Sequence, residues 1–233
     1  MRGLWVDYEL QTSIKGLFAI GECNFSDHGA NRLGASALMQ GLSDGYFVIP
    51  YTMQNYLSDQ IQVPHIDTNA PEFEEAEKGV QAEIDRIYNI KGDESVDHIH
   101  KKLYHIMWDY VGMARNEKGL KKALAMLKDI RKEFNEHVRI PGDKEGLNTE
   151  LDKAIHLRDF ITMGELIAYD ALERNESCGG HFREESQTEE GEAKRDDEHY
   201  MYVACWQYQG SDDVAPTLLK EPLNYQYIKV QVR

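Results

Sequence analysis

The residues best suited to chemistry are concentrated in one run, Gly21-Glu22-Cys23-Asn24-Phe25-Ser26-Asp27-His28-Gly29-Ala30-Asn31-Arg32-Leu33-Gly34-Ala35-Ser36. An apolar stretch, Gly16-Leu17-Phe18-Ala19-Ile20-Gly21, leads into it, and a helical pattern leaves it. The free backbone N–H groups at such a helix start favour negative charge or electron-rich carbonyls. Glycines at 29 and 34 let a ligand come close to the backbone. The pattern fits a ligand site at a strand end, where concave sites are favoured. It equally fits an ordinary strand–loop–helix connection with Arg32 paired to a local acid.

Around this run the chain falls into three textures. Leu4–Tyr8 and Gly16–Gly21 read as two short strands, the second continuous and apolar like a buried strand. Ala35, Leu38, Met39, Leu42, Tyr46, Ile49, Met53 and Leu57 then step by three and four along a long helix. Pro50 cannot donate to the carbonyl of Tyr46, which predicts a kink or a break there. The middle of the chain reads as an antiparallel helical bundle with three apolar stripes. They are Phe73, Ala76, Val80, Ile84, Ile87; then Val96, Ile99, Leu103, Ile106, Tyr110; then Leu120, Leu124, Leu127, Ile130, Phe134. Asn116 is placed to cap the third helix, and Thr149 with Asp152 predicts a fourth running to about Arg174. An acidic loop, 184–192, precedes a strand over Tyr200–Tyr208 and an alternating strand at Ile228, Val230 and Val232.

Composition removes several function classes. Asp and Glu number 41 against 26 Lys and Arg, a formal charge of −15, which repels phosphate backbones and argues against nucleic acid. No apolar run reaches the roughly 20 residues of a membrane span. Cys23, Cys178 and Cys205 form no C-x-x-C pair, so no metal site is expected, and free thiols in a reducing compartment are the plain reading. His98, His100 and His105 share one helix without metal-ligand spacing and fit ordinary bundle histidines. Tyr200, Tyr202, Trp206 and Tyr208 fit aromatic packing of a strand, or a partner surface.

The motifs carry a resemblance. Thr12 to Glu22, with Gly-Leu-Phe-Ala-Ile-Gly-Glu, resembles the second flavin motif of two-dinucleotide-domain flavoproteins. His28-Gly29-Ala30-Asn31-Arg32-Leu33-Gly34 is similar to the signature of the succinate dehydrogenase and fumarate reductase flavoprotein subunit. Arg174-Asn175-Glu176-Ser177-Cys178-Gly179-Gly180-His181-Phe182-Arg183 resembles that family's Arg-x-Glu-Ser-Arg-Gly-Ala-His-x-Arg segment, and Lys194-Arg195-Asp196-Asp197 its Arg-Asp-Asp. Cys178 and Gly180 stand where the family has arginine and alanine.

The resemblance implies an α+β chain: the end of an FAD-binding α/β domain (1–60), an antiparallel helical domain (61–183), and an acidic loop with a β-strand tail (184–233). It implies FAD as cofactor, with Glu22 contacting the ribityl chain and the backbone at Ala37 and Leu38 facing the flavin. Arg32 and His28 are the implied substrate-binding residues, the arginine fork suiting a succinate or fumarate carboxylate. No catalytic residue is expected in this segment, because the family's proton-delivering arginine and covalent-flavin histidine match nothing here and are expected upstream. The implied partners are an iron–sulfur subunit and a membrane anchor, with the subunit peripheral on the inner face of the cell membrane. The isolated chain is expected to be inactive. Two rivals are an L-aspartate oxidase-type fragment and a non-catalytic truncated module that binds the iron–sulfur partner.

Overall fold

The computed structural model describes residues 3–25, 36–144, 146–212, 214–227 and 229, in two compact units. The first comprises Met1–Asp67 with Cys178–His181, the second Thr68–Ser177 with Phe182–Arg233.

In the first unit the two expected strands do not form. Their segments make only isolated bridges, Leu4 with Asn24 and Gln11 with Phe18. The cause is local: Gly16 and Gly21 sit at φ +84° and +69°, bounding the extended run and turning it into a 3-10 turn, Gly21–Cys23. Ile20, expected inside, is 43% exposed. The helix that follows is interrupted as expected, and its form is specific. Helix α1 (Ser36–Ser43) opens into a π turn (Asp44–Val48) before α2 (Ile49–Leu57) resumes with Pro50 in its first turn. Proline lacks the N–H for the usual bond, and the wider turn absorbs the mismatch by bonding Ile49 N–H to the Asp44 carbonyl. Thr52 Oγ donates to the Glu9 carbonyl at 2.9 Å, fastening α2 to the opening segment.

The second unit is built on α4 (Val96–Val111), α5 (Glu117–His137) and α6 (Thr149–Glu173). Two parallel two-residue pairs fix their directions. β1 (Glu94–Ser95), before α4, pairs with β3 (Val138–Arg139), after α5, so those helices run antiparallel. β2 (Ala114–Arg115), after α4, pairs with β4 (Phe182–Arg183), beyond α6, so α6 runs alongside α4. The stripes predicted on α4 and α5 are buried almost throughout, and α6 meets them with Ala154, Leu157, Ile161, Ala168 and Ala171. Gly164 permits the close approach of α4: a Cβ there would stand 3.1 Å from Met107 Sδ.

The caps follow side-chain chemistry. Asn116 Oδ1 accepts from Gly119 N–H at 2.7 Å, as expected. Helix α6 is capped one residue earlier than predicted. Asn148 Oδ1 accepts from Glu150 and Leu151 N–H while its Nδ2 donates to both the Pro141 and Asp143 carbonyls, a double donation that the single proton of a threonine hydroxyl cannot make. Helix α3 (Pro71–Tyr88) exists, but its stripe is not a core face: Phe73 and Val80 are exposed and only Ile87 is buried. It docks by its last turns instead, through Glu83 to Arg158 at 2.9 Å and Asp85 to Lys144 at 2.7 Å.

After α7 (Asp197–Tyr200) the tail forms an antiparallel ribbon, β5 (Tyr202–Gln207) with β6 (Thr217–Pro222). The alternating strand expected at 228–232 falls largely outside the described residues.

Arg183 ties this unit together. It is 1% exposed, donates from Nη1 to the Ala171 and Leu172 carbonyls at the end of α6, and pairs with Glu185 at 3.1 Å. Arg183→Met should therefore destabilise the unit by about 2–4 kcal/mol, because two helix-end carbonyls and a carboxylate lose their partner. Removing the exposed Lys78–Glu74 pair by Lys78→Ala should cost at most ~0.5 kcal/mol. Denaturant unfolding of the two variants checks the contrast; equal losses would show that the buried guanidinium is not a tie.

Candidate functional site

Glu22 lies on the 3-10 turn Gly21–Cys23 with its side chain exposed. Helix α1 packs against that turn through two glycines, a Cβ on Gly41 falling 3.6 Å from Gly21 Cα. The structure therefore brings the Glu22 turn and the helix bearing Ala37 and Leu38 together, with Ala37 buried and the Leu38 side chain exposed. His28 and Arg32 lie outside the described residues.

The turn is held from behind by Asn24. Its backbone carries the bridge to Leu4, with Leu4 N–H donating to Cys23 and Phe25 N–H donating to Leu4, each at 2.8 Å. Gly3 permits that approach, since a Cβ there would fall 2.3 Å from the Asn24 carbonyl oxygen. Asn24 is 2% exposed; its Nδ2 donates to the Ala19 carbonyl at 3.1 Å, and its Oδ1 has no partner among the described residues. Gln40, beside Gly41 on α1, shows the same arrangement: Nε2 donates to Asp44 Oδ2 at 3.2 Å and the buried Oε1 has no partner. A bound group presenting hydrogen-bond donors would satisfy either acceptor. Sequence reasoning read Asn24 only as part of the loop and gave Gln40 no role. An isolated amide has no periodicity, and only a census of hydrogen bonds reveals it.

The second family-like run, 174–183 with 194–197, is a structural lock. Arg174 donates from Nη1 to Glu176 Oε1 at 2.8 Å and to the Tyr200 carbonyl, and from Nη2 to the Tyr202 carbonyl at 3.0 Å. Glu176, 3% exposed, accepts with its other oxygen from Asp196 N–H at 2.9 Å. Ser177 Oγ accepts from Arg183 N–H and donates to the Arg183 carbonyl, pinning the ends of the loop between them. At its tip Cys178 and His181 exchange backbone bonds at 2.9 and 3.1 Å across Gly179 and Gly180.

Electrostatics follow the same contacts. The His199 ring beside Asp196 holds that carboxyl below its usual value, and Asp196 in turn raises the imidazole. Burial pushes Glu185 up, yet backbone N–H groups, led by that of Glu117, and Arg183 outweigh it and leave the carboxyl lowered. Burial alone raises the Cys205 thiol.

One other place has less to offer a ligand. A hollow of about 660 Å³ in the second unit is lined by Arg86, Arg131 and Arg158. Arg86 binds Glu83, Arg131 binds Glu165 and Asp212, and Arg158 binds Glu83 and Asp159, so the guanidiniums are already neutralised. Among the described residues no group of three or more His, Cys, Asp or Glu side chains is placed to hold a metal, and no helix is long and apolar enough to cross a membrane.

Comparison with known proteins adds the context. The family model described as fumarate reductase flavoprotein C-term matches residues 100–233, and an FAD binding domain model matches residues 1–38. An uncharacterised FAD-dependent oxidoreductase of Methanocaldococcus jannaschii is 33% identical over 79% of this chain and 31% of its own length. The fumarate reductase flavoprotein subunit of Haemophilus influenzae is 29% identical over 86% of this chain and 32% of its own length. A solved chain of Escherichia coli quinol fumarate reductase superposes with TM-score 0.79 at 26% identity, over 97% of this chain and 37% of that one. The chain thus spans about a third of the curated relatives it matches.

If the 174–183 run is a lock, Arg174→Ala should free the ribbon from α6. Backbone amides of Tyr202–Gln207 should then exchange with deuterium at least tenfold faster while α4 and α5 amides keep their protection. Unchanged ribbon exchange would remove Arg174 from that role.

Proposed function

We propose, from the premise that this chain belongs to the fumarate reductase flavoprotein C-terminal family, that it is the carboxy-terminal part of a flavoprotein subunit interconverting succinate and fumarate. The observation that carries the reading is the meeting of the Gly21–Cys23 turn with α1 at Gly21 and Gly41, flanking the His28–Gly34 run. Domain limits of 1–60, 61–183 and 184–233 go with the same reading.

Bound FAD supplies the hydride acceptor or donor. Glu22, as an exposed carboxylate on the turn, is suited to accept from ribityl hydroxyls. The backbone at Ala37 and Leu38, in the first turn of α1, offers N–H groups whose partial positive charge stabilises an electron-rich ring edge. Arg32 holds a substrate carboxylate by its two-donor fork and His28 lines the same site. Holding the dicarboxylate at fixed orientation is the contribution of these residues to rate. This segment supplies positioning and no proton transfer; the proton donor belongs to another part of the enzyme. An iron–sulfur subunit and a membrane anchor are the proposed partners, with the subunit on the inner face of the cell membrane.

The test begins with the purified 233-residue chain. Titrated with FAD it should show no tight stoichiometric binding and no fumarate reduction by reduced dye. Joined to the amino-terminal part of a family member, it should retain FAD and turn over succinate and fumarate, not L-aspartate. Turnover of L-aspartate alone would move the chain to the L-aspartate oxidase type. Flavin-free material from the joined protein would favour a non-catalytic module.

In that joined protein Arg32→Lys should lower succinate turnover by at least a hundredfold with flavin still bound. Lysine keeps the charge but loses the planar fork, so the hydride geometry degrades. An unchanged rate and unchanged succinate affinity would take Arg32 out of the site.

A further inference from the structure

We propose that Asn24 is a flavin-contact residue whose Oδ1 accepts a hydrogen bond from a ribityl hydroxyl, an inference that rests on the flavin reading above. A buried amide oxygen without a partner loses its hydration with nothing gained in exchange, and native proteins leave few such atoms. Asn24 cannot relieve the loss by turning outward. Its Nδ2 is engaged by the Ala19 carbonyl, its backbone is bridged to Leu4, and Gly3 presses on its carbonyl. Nor can the amide be flipped, because that would set oxygen against the Ala19 carbonyl oxygen.

The demand at this place is for a donor. Gln40 Oε1 repeats it on α1, beside the Gly41 that packs on Gly21. The turn bearing Glu22 and the helix packed on it therefore each carry a buried acceptor without a partner among the described residues. Of the parts of FAD, the pyrophosphate offers only acceptors, while the ring N3–H, the adenine amino group and the ribose and ribityl hydroxyls donate. The ribityl hydroxyls are those the reading above already sets at Glu22, two residues before Asn24. The Asn24 oxygen is sealed from water, so its cover must part to admit the donor.

The flavins riboflavin and lumiflavin separate the outcomes, because lumiflavin has the same ring system without the ribityl chain. Fluorescence polarisation of each is followed against the 233-residue chain. Wild type should bind riboflavin more tightly than lumiflavin. Asn24→Leu should weaken riboflavin about fivefold, the equivalent of one neutral hydrogen bond, and leave lumiflavin unchanged. Asn24→Asp, which keeps acceptor oxygens, should retain the preference. Equal wild-type affinity for the two flavins overturns the proposal while leaving the flavin reading intact, and it needs no variant that must fold. An undiminished preference in a folded Asn24→Leu chain overturns it too and assigns the oxygen to a buried water. Absence of even weak riboflavin binding at high flavin concentration removes the ribityl contact from this chain, and the proposal with it, whereas the lack of tight FAD binding expected of the isolated chain does not.

Discussion

The second unit depends on how helix α6 is ended. Its 25 residues terminate against the bundle, where the last carbonyls have no intrahelical donor. Arg183 returns from ten residues further on and supplies one guanidinium to Ala171 and Leu172. The positive charge sits at the negative end of the helix dipole, and Glu185, its partner, accepts from Glu117 N–H at the positive end of α5. One ion pair therefore closes two helix ends. Everything between Ser177 and Arg183 is consequently a loop of fixed length with fixed ends, and its tip at Cys178–His181 groups with the first unit. Replacement of the family's arginine by Cys178 falls on that tip, where the backbone exchange with His181 needs no particular side chain.

How legible this was in the sequence varies by element for physical reasons. The stripes on α4 and α5 predicted the core because both helices are covered on the apolar face and open on the other. On α3 the same periodicity misled. A stripe reports that a helix is amphipathic, not that a neighbour covers it, and Phe73 and Val80 are left in solvent. The pairs β1–β3 and β2–β4 have two residues each, too short for any alternation to register. β6 was missed because Thr217–Pro222 runs Leu-Leu-Lys-Glu-Pro after its threonine, without a period of two. It becomes a strand only because β5 offers it a ladder.

The candidate site was legible where it is made of a motif and illegible where it is made of single atoms. Glu22, His28, Arg32, Ala37 and Leu38 came from one contiguous run whose residue types and order repeat a known signature. Asn24 and Gln40 belong to no pattern, and their interest comes from an arithmetic of donors and acceptors that requires positions in space. The 174–183 run is a motif of another kind. Its charged residues look like site residues by type, yet Arg174, Glu176 and Arg183 spend their hydrogen bonds on backbone carbonyls and N–H groups of the tail and α6.

The two units differ in how they are held. Among the described residues, nineteen buried apolar side chains form the core of the bundle, whereas the first unit buries Val6, Leu10, Ala19 and Ala37. Four small or branched side chains remove far less apolar area from water than the bundle does, by the scale of about 25 cal/mol per Å². Meanwhile Trp5, Leu17, Ile20, Leu42, Phe47 and Tyr51 remain at least 39% exposed. The segment carrying the flavin and substrate motifs is therefore the one with the least folding energy of its own, and anything that binds only its ordered form stabilises it by mass action. Unmet acceptors at Asn24 and Gln40 belong to the same balance: they subtract from the stability of the unliganded turn and return it when a donor arrives. Order in this unit and occupancy of its site are, on these terms, a single equilibrium.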